Sequence, residues 1–173
     1  MSERVSSPPD FEAPVQNGFV AEAIARHFLG DAATWLGGRN AGFDVRLGTR
    51  RIDVKSGVRH RRRLAANRDS VETIGIRLNK GLDGLPDQDV DDLLVVVRDG
   101  YVGSTANVVM TGTSAHVRTQ VEVENVAVYL IPKDDMATVF THPFSASGQP
   151  YKNVHNVDAP VEALDPFRMP PPS

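Results

Sequence analysis

The chain has 173 residues, 40% hydrophobic and 24% charged, the composition of one ordinary globular domain with or without tails. It contains no cysteine, which excludes disulfides, a thiol nucleophile, a zinc ribbon and an iron–sulfur cluster. A net charge of −3 offers no bulk attraction to a polyanion. No run of 18 apolar residues is present, and Met1-Ser2-Glu3-Arg4 lacks a signal pattern, so a cytoplasmic protein without a membrane partner is expected.

Residues 1–16 carry Ser6-Ser7-Pro8-Pro9 and Pro14 and read as a flexible leader. A helix is predicted over 19–29, with Asn17 as N-cap and Gly30-Asp31 as stop. Val20, Ala23, Ile24, His27 and Phe28 form its apolar stripe, with Glu22 and Arg26 one turn apart beside it. Strands are predicted at 33–36 (including Trp35, a core residue), 42–47, 50–56, 73–78, 93–98 and 125–131, with a weaker one at 102–110. Asp134-Asp135 can cap a short helix through Phe140. These elements place an α/β domain over 17–142. From Pro143 onward the chain holds seven of its twelve prolines, so 143–173 reads as a Pro-rich irregular arm.

Charge is distributed unevenly. Residues 39–80 hold twelve of the nineteen Lys and Arg but only four acids (Asp44, Asp53, Asp69, Glu72), whereas 81–99 hold six acids against Arg98 alone. A basic stretch followed by an acidic counterweight points to a polyanionic partner more strongly than net charge does.

The two segments around Gly48-Thr49 are the most informative. With these as a two-residue type II′ loop, Leu47 faces Arg50, Val45 faces Ile52 and Asp44 faces Asp53. Period-two alternation then puts Phe43, Val45, Leu47, Ile52 and Val54 on one face, and Asp44, Arg46, Arg51, Asp53 and Lys55 on the other. Opposed aspartates with Cβ atoms roughly 4.5–5.5 Å apart repel, and a hard divalent cation between them removes the repulsion. Lys55 points the same way about 6.6–6.8 Å further on, where an ammonium can stabilise a developing hydroxide or a pentavalent phosphate. The same face also fits a solvated side of a hairpin laced by Asp–Arg pairs, and Glu22 with Arg26 fits an ordinary helix-surface pair.

Glu22 on a helix, then Asp44, eight residues, and Asp53-Val54-Lys55 resembles the PD-(D/E)xK, or restriction-endonuclease-like, nuclease superfamily. Phe43 stands where the family name has proline. The resemblance implies an α/β fold with a restriction-endonuclease-like core: a mixed β-sheet flanked by helices, with the two acidic motifs on adjacent strands. It implies Asp44, Asp53 and the carbonyl of Val54 as metal ligands, Lys55 as the catalytic lysine and Glu22 as an accessory catalytic and metal-binding acid. Mg²⁺ is the implied cofactor, with Mn²⁺ able to substitute. Arg59-His60-Arg61-Arg62-Arg63 directly follows and is read as a phosphate-gripping run, or otherwise as a solvated basic loop, with Arg46 and Arg51 as further DNA contacts or as neutralisers of the aspartates.

The expected activity is metal-dependent hydrolysis of DNA phosphodiester bonds by a homodimer. A type II restriction endonuclease is preferred, because the loop between Ser56 and Thr73 and the C-terminal arm offer groove-reading surface. A junction-resolving, repair or recombination nuclease shares the motif, and a non-catalytic nucleic-acid-binding module on the same fold is the alternative class. Other chemistries lack their patterns. His27, His60, His116, His142 and His155 have no metal spacing, and Asp87, Asp89 and Asp91 lack the glycine and glutamate of a calcium loop. Gly112-Thr113-Ser114-Ala115-His116 is no nucleophile elbow, and no phosphate-binding glycine loop suggests a nucleotide cofactor. Tyr101, Tyr151, Phe144 and Phe167 are candidates for base stacking or a dimer seam.

Overall fold

The apolar run Leu93, Leu94, Val95, Val96 and Val97 is buried on both sides, the signature of a strand covered by two layers. In the computed structural model, which describes residues 13–35, 43–98, 108–111, 118–121, 126–144 and 155–172, this run is β5 (Asp92–Arg98). Its even-numbered side chains, Leu94 and Val96, pack with Val20, Ile24 and Phe28 of helix α1 (Ala13–Leu29). Its odd-numbered ones, Leu93, Val95 and Val97, join a second cluster with Ile74, Ile76, Tyr129, Met136, Phe140, Val157 and Leu164.

The sheet is mixed and mostly antiparallel, with seven strands. Strands β1 (Ala33–Trp35), β2 (Val45–Leu47) and β3 (Arg50–Arg62) form an antiparallel meander. β3 then runs parallel to β5 over residues 52–57 and antiparallel to β4 (Val71–Arg77) over residues 58–62. β5 continues into β8 (Val126–Pro132), and β4 into β9 (Asn156–Pro160). β6 (Val108–Thr111) and β7 (Arg118–Val121) pair separately. Short helices α2 (Met136–Val139) and α3 (Val161–Leu164) bring Met136 and Leu164 to the second cluster. Among the described residues, no helix is long and apolar enough to cross a membrane.

The hairpin register is as predicted: Val45 pairs with Ile52, Arg46 with Arg51 and Leu47 with Arg50. Gly48 supplies the positive φ (+61°) that the first position of the turn requires. Several expectations need correction. Helix α1 covers Ala13–Leu29, so it takes in residues 13–16 of the expected leader, and Asn17 lies within it rather than capping it. β3 does not stop at residue 56. It carries the basic run as strand up to Arg62, so neither a basic loop nor a groove-reading loop starts there. The C-terminal arm is not irregular throughout, because β9 and α3 bury Val157, Ala159 and Leu164, and their prolines lie at the strand end and in the 3₁₀ turn Asp165–Phe167. β7 was not predicted. Tyr101, Ser114, His116 and Tyr151 lie outside the described residues.

Where β3 changes partner from β5 to β4, the strand carries Gly57. A Cβ there would stand 2.8 Å from Ile74 Cγ2, 2.8 Å from Val95 Cγ1 and 3.0 Å from Val97 Cγ2. Gly57→Ala is therefore expected to lower folding stability by about 1–3 kcal/mol through overpacking, read from the midpoint of urea unfolding. A midpoint equal to that of the parent would show that the strands can move apart freely.

Candidate active site

The site forms where the β2–β3 ladder ends. Continued regularly, the register would give the Val54 N–H to the carbonyl of Phe43. Instead the chain bends at Asp44, whose own N–H donates to the Ile52 carbonyl (2.9 Å) while its Oδ2 accepts the Val54 N–H (2.8 Å). The bend breaks the alternation of side chains, so Phe43 packs with the second cluster rather than beside Val45 and Leu47. The strict Asp44–Asp53 cross-strand pair is thus replaced by a carboxylate folded over the end of the strand.

Three of the predicted acids meet here. Asp53 lies on β3, 7% exposed, and its Oδ2 receives the Nε2 of Gln88 (3.1 Å) and the ammonium of Lys55 (3.1 Å). Glu22 comes from α1 and is equally buried at 7%, with no hydrogen-bond partner for its Oε1. It is no helix-surface partner of Arg26, which pairs with Asp31 instead (3.2 Å).

Burial pushes the Glu22 carboxyl up to about 8, and Asp44 and Asp53 push it in the same direction while Trp35 opposes them. Burial likewise lifts Asp44 to about 6, reinforced by its hydrogen bond with Asp53, against the pull of the Val54 N–H and Lys55. Such raised values mark a desolvated cluster of like charges, the environment in which functional carboxyls concentrate. Among the described residues, no three His, Cys, Asp or Glu side chains stand ready-made around a metal position. The chemistry of the donors nevertheless suits a hard divalent cation: all are oxygens, one buried oxygen lacks a partner, and a cation would offset the burial and like charge that raise Glu22 and Asp44.

The arginines divide by partner. Arg51 is committed to the acidic segment: its N–H and Nε reach Asp91 Oδ2 (2.7 and 3.4 Å) and its Nη1 reaches Asp89. Arg50 grips the buried Asp92 through two bonds of 2.7 Å. Arg59 pairs with Glu72 (3.3 Å), and Arg62 lies 3.4 Å from the buried Asp158. Arg46 is exposed opposite Arg51, and Arg61 is exposed on the same face of β3 as Asp53, Lys55 and Arg59. The Arg63 carbonyl is held by the Phe144 N–H (2.8 Å). The basic run is thus spread along both faces of a strand, with Arg59 four residues, or about 13 Å, beyond Lys55.

Gln88 was not singled out from the sequence, since no spacing rule links it to an aspartate 35 residues earlier. It follows the 3₁₀ turn Leu85–Asp87, and its carbonyl is pinned by Lys133 Nζ (3.0 Å). The one sequence signal for its region is the acidic stretch, which docks on Arg50 and Arg51 and thereby carries Gln88 to the site. The chain matches no family model, no curated protein and no solved structure.

Carboxyls whose native pKa is raised hold protons that the unfolded chain releases, so their contribution to stability is present at low pH and disappears as pH rises. For Asp44 the window runs from 3.8 to about 6, and for Glu22 from 4.5 to about 8. The metal-free protein is expected to lose thermal stability as pH rises from about 4 to about 8. Glu22→Gln should flatten that decline and raise Tm at pH 8.5, at about 2–4 °C per kcal/mol for a chain of this size. Parallel Tm curves for the parent and Glu22→Gln would contradict the coupling.

Proposed function

We propose that the protein is a metal-dependent deoxyribonuclease with a restriction-endonuclease-like core, hydrolysing phosphodiester bonds in DNA. The observation that carries this reading is the convergence of Glu22, Asp44 and Asp53 in one desolvated cluster with the Lys55 ammonium 3.1 Å from Asp53. The order of elements supports it: a first helix, a three-strand meander with Asp44 directly before β2 and Asp53 on β3, and a return strand parallel to β3.

Glu22, Asp44 and Asp53 would hold Mg²⁺ or Mn²⁺, with the Val54 carbonyl as a further oxygen donor. The bound ion supplies an acidified water and positive charge for the developing oxyanion. The chain's own groups do the positioning. The Val54 N–H orients Asp44, and Gln88 fixes one oxygen of Asp53. Lys55 holds its ammonium at the same carboxylate, where it steadies the attacking water and binds a non-bridging phosphate oxygen. Arg61, exposed on the Lys55 face of β3, would contact the DNA backbone, and Arg46 adds an exposed positive charge at the hairpin. Arg51 and Arg62 serve the fold through Asp89, Asp91 and Asp158.

The ground for a sequence-reading restriction enzyme is reduced, because much of 56–73 and of the C-terminal arm is taken up in β3, β4 and β9. Hydrolysis of the DNA backbone is the activity that the geometry favours, by a twofold dimer if both strands are cut.

Supercoiled plasmid incubated with Mg²⁺ or Mn²⁺ is expected to be nicked or linearised, and EDTA should prevent it. Asp53→Asn should lower the rate about 10²–10⁴-fold while retaining DNA binding, and Lys55→Ala should lower it as far with a partial loss of binding, since its ammonium also meets phosphate. Intact plasmid and intact branched DNA under both metals, with binding preserved, would instead establish a binding module.

A further inference from the structure

Lys55 also lines an open cleft of about 190 Å³, whose other polar walls are Asn79, Lys80, Asp87 and Gln88. The cleft has no counterpart among the residues predicted from sequence. Lys55 reaches it from the face of β3 that carries Asp53, opposite the face covered by α1.

The far wall is a turn built to hold its shape. Leu78 and Leu85 are buried at its two ends, and the Leu78 N–H donates to the His155 carbonyl (2.8 Å). Between them the Gly81 N–H returns to the Leu78 carbonyl and the Gly84 N–H to the Lys80 carbonyl (both 3.2 Å). Gly81 takes a φ of +66°, open to glycine at little strain. At Gly84 a Cβ would fall 2.3 Å from the Lys80 Cβ, so the absence of a side chain lets the turn close on the lysine stem. Asn79 and Lys80 are exposed on this rigid support, and neither makes a side-chain hydrogen bond or ion pair among the described residues.

The walls therefore present the Lys80 ammonium and the Asn79 amide, with the Lys55 ammonium shared with Asp53 (3.1 Å), against the carboxylate of Asp87. The cleft is open and has room for a phosphate group with its waters. The Gln88 amide, already given to Asp53, ties this wall to the carboxylate cluster.

We propose that the cleft is a phosphate subsite for the DNA strand being cut: the strand passes between Lys55 and the 79–84 turn, and a phosphate flanking the scissile one sits on Lys80 and Asn79. The proposal rests on the nuclease reading and gives that reading a direction for the strand. The subsite contacts backbone alone, so it adds affinity without sequence preference.

The test is fluorescence anisotropy of a labelled duplex oligonucleotide, in EDTA and again with Ca²⁺, over a series of KCl concentrations. Lys80→Ala is expected to weaken binding about tenfold at fixed salt, the size of one charge-assisted hydrogen bond. It should also reduce the slope of log affinity against log salt by about 1. Lys80→Arg should keep both quantities near the parent's, and Arg77→Ala, an equal charge loss on the opposite face of the sheet, should change neither. If Lys80→Ala binds like the parent, or loses no more than Arg77→Ala, while the parent still nicks plasmid, the subsite is wrong and the nuclease reading stands. If the parent neither binds the oligonucleotide nor nicks plasmid, both fall.

Discussion

A β-strand has two hydrogen-bonding edges, yet β3 serves three neighbours. It does so by dividing its 13 residues: β2 along the first three, β5 along 52–57 and β4 along 58–62. Asp53 and Lys55 fall where β2 has just ended and β5 continues. The backbone N–H that β2 leaves at Val54 is taken by the Asp44 carboxylate, so the exhausted ladder itself brings the first acid to the second. At the opposite changeover, Gly57 omits a side chain so that Ile74, Val95 and Val97 can close over the strand. The position of the site and the branching of the sheet are two consequences of the same shared strand.

Two sets of acids surround the start of β3, and the fold treats them oppositely. Asp91 is held below the ordinary carboxylate range, first by the Arg51 N–H and then by its guanidinium. Asp92, nearly sealed from solvent at 3% exposure, is gripped by Arg50 through two bonds. Charge is neutralised there, and the result is the docking of β5 and the 81–91 segment against β3. Glu22 and Asp44 are raised because they are buried beside other carboxylates, with the Lys55 ammonium pulling Asp44 the other way. Raised carboxyls in an unneutralised cluster lower stability in the absence of a counter-ion, a common property of sites shaped for a ligand rather than for the fold.

The same contrast explains the arginines. A run of four arginines within five residues reads as one basic feature, but a strand sends neighbours to opposite faces. Arg62 turns to the buried Asp158, which also accepts the Thr73 hydroxyl (2.7 Å), whereas Arg61 remains exposed on the Lys55 face. Their separate fates depend on β4 and β9, residues that lie far along the chain.

The local sequence was sufficient for the central hairpin. Gly48-Thr49 sets the turn, and alternating apolar and charged residues fix the register, because a shift of one residue would expose Val45 and Ile52. The grouping of Asp44, Asp53 and Lys55 follows from that register, and the continuous apolar run of β5 declares a strand covered on both faces. What the tertiary structure decided is everything that depends on distant partners. Packing of α1 against the sheet buried Glu22 and left Arg26 to Asp31, although the two stand at ideal spacing for a surface pair. The end of the β2 ladder turned a direct aspartate opposition into a bend with a carboxylate cap. Docking of the acidic segment committed Arg51 and brought Gln88 and Lys80 to the site, and pairing with β4 drew a strand out of the proline-rich C-terminal region. Turn chemistry and side-chain alternation act over a few residues and are legible in sequence. Burial and ion pairing depend on which segments the chain brings together, and that is settled only when the sheet closes around its shared strand.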